Sequence, residues 1–242
     1  MLEIDKFKKI IIANWKLNGS IPYLNEYIEN IQFDKSKDNN NCLVVCPPST
    51  LIPYIKTKKF FIGSQDCSSF KEGAYTGEIS CKMLKEIGCD FVIIGHSERR
   101  SIFKEQHKSI FDKCTNAINN KIIPILCIGE NGQQRKENLH KEVLMDQLSK
   151  SLPKNIDIEN IIIAYEPVWS IGTGLVPDQN QISEIHDFIK QEVLRSNQVR
   201  VIYGGSVKAA NYKKILEIQN VDGLLVGGAS LNLDEFNQII KF

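Results

Sequence analysis

Eight short runs of β-rich, mostly apolar residues recur along the chain, each running into a polar or glycine-containing turn. They are KIIIAN (9–14), CLVVCP (42–47), FFIGSQ (60–65), FVIIGH (91–96), IIPILCIGE (122–130), IIIAYE (161–166), VRVIYGG (199–205) and GLLVGG (223–228). No other feature restricts the fold so strongly. Most of the runs lack the in–out alternation of a half-solvated sheet, so they predict strands buried on both faces of a parallel sheet. The segments between them carry helical spacing. Ile21, Leu24, Tyr27, Ile28 and Ile31 fall on one face behind a Ser20 N-cap. Ile79, Met83, Leu84 and Ile87 form a second stripe ended by Gly88, and Val143, Leu144, Leu148 and Leu152 form a third. Strand–helix alternation eight times over 242 residues predicts an α/β chain closed into a single (β/α)8 barrel, one domain spanning 1–242. An open doubly wound sheet is disfavoured because ANWKLNGS, and not GxGxxG, follows the first strand. Only the polar loop DKSKDNNN (34–41) is compositionally distinct.

Composition narrows the partners. The chain is 42% hydrophobic and 24% charged with a formal net charge of +1, which gives no electrostatic reason to expect nucleic acid or an anionic membrane. The short clusters KFKK (6–9) and KTKK (56–59) read as solvated faces. Seven cysteines without a CxxC pair predict reduced, packed thiols in a cytoplasmic protein, with neither a disulfide frame nor a zinc site. No signal-type apolar core opens the sequence, and no apolar run approaches the ~20 residues that cross a bilayer.

In a barrel of parallel strands, the residues just after each strand line the C-terminal mouth, where active sites form. Those positions hold Asn14 and Lys16, Gln65, His96 with Ser97 and Glu98, Glu130, Glu166, Ser206 after Gly204-Gly205, and Gly227-Gly228. Each alone is compatible with a structural role; together they converge on one mouth. The glycine turns after the seventh and eighth strands let backbone N–H groups approach an anion, and a helical turn starting near Gly228 adds its positive dipole end. A helical turn starting at Ser97 would keep the His96 imidazole neutral and ready to donate to a substrate oxygen. Glu98 has three open readings: a partner for Lys16, a partner for Arg99, or a first-turn helix acid.

Seven segments, in order, resemble the triosephosphate isomerase family: ANWKLNG (13–19), GAYTGE (73–78), IGHSERR (94–100), CIGE (127–130), AYEPVWSIGTG (164–174), YGGSV (203–207) and LVGGASL (225–231). The family is itself a standard example of acid–base tuning in a barrel mouth. The resemblance implies a TIM barrel that interconverts dihydroxyacetone phosphate and D-glyceraldehyde 3-phosphate through an enediolate, in glycolysis and gluconeogenesis. It implies Glu166 as the base, His96 as the neutral electrophile and Lys16 as the positive charge on the substrate, with Asn14 shaping that wall. Gly172, Ser206, Gly227 and Gly228 are implied phosphate contacts. Pro167 to Gly174 is implied to be a closing lid. Thr76 is implied to enter a neighbouring subunit, giving a homodimer, and no cofactor or metal is implied. Ser170 stands where the family usually has alanine, Leu175-Val176 where a lysine-containing hinge is common, and Asn138 where glycine is usual.

Two other functions are less compatible with the residues. A Schiff-base aldolase needs a lysine emerging from a middle strand, and none of those strand ends carries one. A metal-dependent aldolase needs a histidine-rich mouth, whereas only four histidines exist and only His96 follows a strand. A non-catalytic sugar-phosphate sensor would not need Lys16, His96 and Glu166 together.

Overall fold

The apolar runs form eight parallel strands that close on themselves in chain order. In the computed structural model, which describes residues 2–37, 40–154 and 156–241, these are β1 (Lys9–Asn14), β2 (Asn41–Cys46), β3 (Phe61–Ser64), β4 (Phe91–Ile94), β5 (Ile123–Ile128), β6 (Ile162–Tyr165), β7 (Arg200–Tyr203) and β8 (Gly223–Val226). Closure comes from β1 pairing with β2 on one side and with β8 on the other. Asp38 and Asn39 of the polar loop lie outside the described residues.

The near-continuous apolar character of the strands has a direct cause. Successive side chains point to opposite faces, and here both faces are buried. Ile10 and Ile12, Phe91 and Ile93, Ile123 and Ile125, Ile162 and Ala164 belong to one buried cluster. Ile11 and Ala13, Val92 and Ile94, Ile163 and Tyr165 belong to the other, shared with the helices. The first cluster fills the barrel and the second glues the helices to its outside.

Helices follow the strands: α1 (Ile21–Asn30), α2 (Cys81–Glu86), α3 (Ser97–Ser101), α4 (His107–Asn119), α5 (Gly132–Lys136), α6 (His140–Ser151), α7 (Gln179–Asp187), α8 (Tyr212–Leu216) and α9 (Leu233–Ile239). Ser20 caps α1 by accepting the Tyr23 N–H, and Gly88 ends α2 at a φ of +95°. Asn138 takes a φ of +58°, the left-handed conformation that asparagine tolerates better than most residues.

Two expectations need correction. The alternation is incomplete, because β2 and β3 are joined through a single 3-10 turn, Ile52–Tyr54. Pro47, Pro48 and Pro53 crowd this connection, and proline removes the N–H that a helix interior needs. The stripe on α2 does not face the barrel. Leu84 is buried, but Ile79, Met83 and Ile87 are exposed, as is Ile21 at the start of α1. Periodicity finds an apolar face without saying what covers it.

Filling the barrel interior is the main stabilising element that this architecture offers. Ile125→Ala leaves a cavity between fully buried neighbours and should cost about 2–5 kcal/mol in urea unfolding. A loss below about 1 kcal/mol, too small for a truncation in a close-packed core, would mean the interior can collapse around the gap.

Candidate active site

Glu166 directly follows β6 and is 2% exposed. Its backbone N–H donates to the Ile128 carbonyl at 2.7 Å, continuing the ladder to β5. Gly129 lies against it, and any side chain there would run into the Glu166 carbonyl. The carboxylate is held by two donors: the Ser97 N–H reaches Oε2 at 2.9 Å, and His96 Nε2 lies 2.9 Å from Oε1. Burial pushes this carboxyl up; His96, the Ser97 amide and Lys16 outweigh it and hold the group below its ordinary value.

His96 is the N-cap of α3, and its Nδ1 accepts the Glu98 N–H at 3.2 Å. An accepting Nδ1 carries no proton, so the ring proton is on Nε2 and points to Glu166. Helix α3 begins at Ser97 as expected, and in this arrangement two carboxylates also face the ring. Burial lowers the His96 pKa, and the Glu166 and Glu98 carboxylates more than offset it, leaving it raised.

Lys16 adopts a φ of +53°, an uncommon conformation for a residue with a side chain. The strain is sustained by neighbours. Asn14 Oδ1 accepts the Lys16 N–H at 3.1 Å, and Gln65 Nε2 donates to the carbonyls of Lys16 and Cys46 at 2.8 and 2.9 Å. The ammonium meets Glu98 Oε1 at 2.5 Å, which resolves the Glu98 alternatives: it pairs with Lys16 and is also the first-turn acid of α3.

Asn14, Lys16, His96, Glu166, Gly172, Ser206, Gly227 and Gly228 all line one cavity of about 310 Å³. Glycine 228 opens a 3-10 turn, Gly228–Leu231, and space is open beside it and beside Gly172. A cavity of this size with convergent polar groups suits a small polar ligand. Among the described residues, no group of three or more His, Cys, Asp or Glu side chains could hold a metal ion.

Beside this cavity lies the segment that the resemblance implies to be a lid, held by contacts that the sequence did not indicate. After Glu166 the chain forms a 3-10 turn, Val168–Ser170, and then a segment whose Gly172 and Gly174 take φ of +70° and +77°. Trp169 Nε1 donates to Glu130 Oε1 at 2.9 Å, and Tyr165 Oη donates to the same oxygen at 3.2 Å. Glu130 is fully buried, which raises its pKa against these bonds. Its position after a strand marked it for the mouth; nothing in the sequence marked Trp169 as its partner.

The fold is a closed (β/α)8 barrel in which glycine turns after the last two strands stand beside a lysine after the first, the place where barrels of this class commonly hold a phosphate. Comparison with known proteins narrows the class. A family model described as triosephosphate isomerase matches residues 9–242. The chain is 43% identical to the triosephosphate isomerase of Francisella tularensis subsp. mediasiatica, over 97% of this chain and 96% of that protein. It is 39% identical to that of Bradyrhizobium sp., over 98% of each. The crystal structure of triosephosphate isomerase from Bartonella henselae superposes with a TM-score of 0.84 at 35% identity, covering 97% of this chain and 98% of that one. The chain belongs to the triosephosphate isomerase family.

The contacts of Glu166 favour its ionised form, so its titration in the free enzyme should have a midpoint below the ordinary value of 4.5. With the folded value depressed, the stability these contacts contribute is complete above 4.5 and is lost as pH falls through the folded value. Carbon-13 NMR of labelled glutamate carboxyls would read the midpoint, and a value above 4.5 would mean that burial prevails.

Proposed function

We propose that this cavity interconverts dihydroxyacetone phosphate and D-glyceraldehyde 3-phosphate through an enediolate, as an aldose–ketose isomerase of glycolysis and gluconeogenesis. The observation that carries the reading is the buried His96–Glu166 pair at 2.9 Å, in a cavity that Lys16 also lines.

The chemistry follows from separating that pair. Glu166 turns from His96 and Ser97 towards the substrate and takes a proton from the carbon beside the carbonyl. Electrons move to the carbonyl oxygen, which receives the Nε2 proton of His96; the ring then recovers a proton from the neighbouring hydroxyl. Glu166 returns its proton to the second carbon, completing the isomerisation. Lys16 offsets the negative charge that develops on the oxygens. Leaving its two donors removes most of what holds the Glu166 pKa down, while burial, which raises it, remains. Leaving the carboxylate removes the larger part of what raises His96, with Glu98 remaining, and burial then favours the neutral ring. The same motion makes one group a stronger base and the other a neutral donor.

Backbone N–H groups of Gly172, Ser206, Gly227 and Gly228 bind the phosphate, with the Ser206 hydroxyl assisting. Residues 167–174 close over it and exclude water, which protects an enediolate that would otherwise lose phosphate. The mechanism uses proton transfers between side chains and substrate, so a coupled assay with dihydroxyacetone phosphate in excess chelator should show full activity. Glu166→Gln should lower kcat by about 10²-fold or more, the scale of general-base assistance, with a smaller change in KM. Activity within a few-fold of wild type would move the base to another carboxylate, Glu98 first.

The enzyme acts as one barrel domain over 1–242, in the cytoplasm, as a homodimer. The seven buried, free cysteines support a reducing compartment. No helix among the described residues is long and apolar enough to cross a membrane. Exposed apolar side chains support the dimer: Phe70 and Tyr75 stack at 3.7 Å on the loop that carries Thr76, and Leu17, beside Lys16, is 97% exposed. Covering such groups is a strong reason for association. Thr76→Arg puts an uncompensated charge into the buried contact, at a cost of about 3–5 kcal/mol. It should shift sedimentation towards monomer and lower kcat with the same protein-concentration dependence. A fully active monomer would show that the site does not need its partner.

A further inference from the structure

Ser170 ends the 3-10 turn after Glu166, and it is fully buried. Its hydroxyl donates to the Leu175 carbonyl at 2.6 Å. It accepts the Ser206 N–H at 3.3 Å, and Tyr203 Oη lies 3.4 Å away. A hydroxyl has one proton and two lone pairs. With the Ser170 proton on Leu175, Tyr203 is the donor in its pair, and the hydroxyl has filled its capacity. One oxygen atom therefore joins both ends of the 170–175 segment to the end of β7 and the loop beyond it. Between Tyr203 and Ser206, a Cβ on Gly205 would come within 2.9 Å of the Ser170 hydroxyl and collide with that of Tyr203. The close approach depends on glycine.

The backbone of Ser170 adds a further tie. Its carbonyl accepts the Ser206 hydroxyl proton at 2.7 Å. Both side-chain and main-chain donors of Ser206 are thus committed to one residue of the closing segment. A phosphate bound by Ser206 needs those same donors, and a single hydroxyl proton cannot serve both acceptors.

We propose that Ser170 is a positioning residue that couples phosphate arrival to movement of the lid. Its hydroxyl and carbonyl occupy the Ser206 donors until phosphate displaces them, and the displacement frees the two ends of the lid together. This inference rests on the reading of Ser206 as a phosphate contact. Only hydrogen bonds are exchanged, and no covalent bond changes. Bonds that must break for phosphate to bind oppose its binding. Removing the hydroxyl should therefore tighten the phosphate site, the opposite of what loss of a purely structural bond would do.

The test compares wild type with Ser170→Ala, using inorganic phosphate as a competitive inhibitor of isomerisation. In Ser170→Ala, the inhibition constant and KM should both fall about two- to tenfold, the factor equivalent to one net hydrogen bond. The kcat should fall as well, because product leaves a tighter site. Ser170→Thr, which keeps the hydroxyl, should return the inhibition constant towards wild type; if it tightens as alanine does, the hydroxyl is not the cause and the coupling is rejected. Should Ser170→Ala fail to fold, Ser170→Cys replaces it, with similar shape and a weaker acceptor. An inhibition constant that is unchanged or raised overturns the proposed coupling while leaving the isomerase reading intact. A wild-type enzyme that neither isomerises nor responds to inorganic phosphate overturns both.

Discussion

A carboxylate held ionised at 2% exposure governs the organisation of the barrel mouth. Taking such a group out of water costs several kcal/mol unless it is paired and hydrogen-bonded. The surrounding elements answer that requirement one by one. Helix α3 starts where its first amide meets Oε2, its N-cap imidazole meets Oε1, and Gly129 leaves room for the strand end that carries Glu166. The same contacts that make burial tolerable make the carboxylate a weak base while they last. A group stabilised by removable partners in a dry site can be strengthened simply by moving it, without any new charge being introduced.

Lys16 is held by a comparable balance. Its left-handed backbone is unfavourable for a residue with a side chain, and such strain persists only where the surroundings over-determine it. Asn14 binds its amide and Gln65 binds its carbonyl, so β1 and the chain after β3 fix the lysine from both sides. Its ammonium is shared with Glu98, which also gives its amide to His96. Lysine, glutamate, histidine and Glu166 thus form one chain of contacts, and a substrate oxygen entering beside it would meet an ammonium and an imidazole N–H together.

Much of this was legible in the sequence because it is local. The eight strands, the Ser20 cap, the Gly88 terminus and the gathering of polar residues after the strands all follow from short-range pattern. The failures have physical causes. Prolines 47, 48 and 53 replaced an expected helix with a 3-10 turn, and the general rhythm of alternation hid them. Ile79, Met83 and Ile87 have helical spacing but point away from the barrel, because an apolar stripe does not specify which surface it meets. The bond from Trp169 to Glu130 spans 39 positions, and the contact of Ser170 with Tyr203 spans 33. Only the pairing of β6 with β5 on one side and β7 on the other brings these strand ends side by side, so no local signal could reveal these pairs.

Those non-local pairs anchor the segment after Glu166 from two sides and are compatible with the closing motion proposed for it. Trp169 hangs from Glu130 on the β5 side, and Ser170 hangs from Tyr203 and Ser206 on the β7 side. Between Ser170 and Leu175 the tip is exposed at Gly172, Thr173 and Gly174, and both glycines take left-handed conformations. Thr173 closes the tip internally, its hydroxyl donating to the Trp169 carbonyl at 3.0 Å and accepting the Leu175 N–H at 3.2 Å. Bonds within the tip can persist while those to the barrel are exchanged. On the reading proposed above, the segment shifts as a small rigid body, with its changes concentrated at its two ends. Ligand binding need act only on the side-chain bonds at those ends, each worth about 1 kcal/mol, a scale that a phosphate's own hydrogen bonds can match.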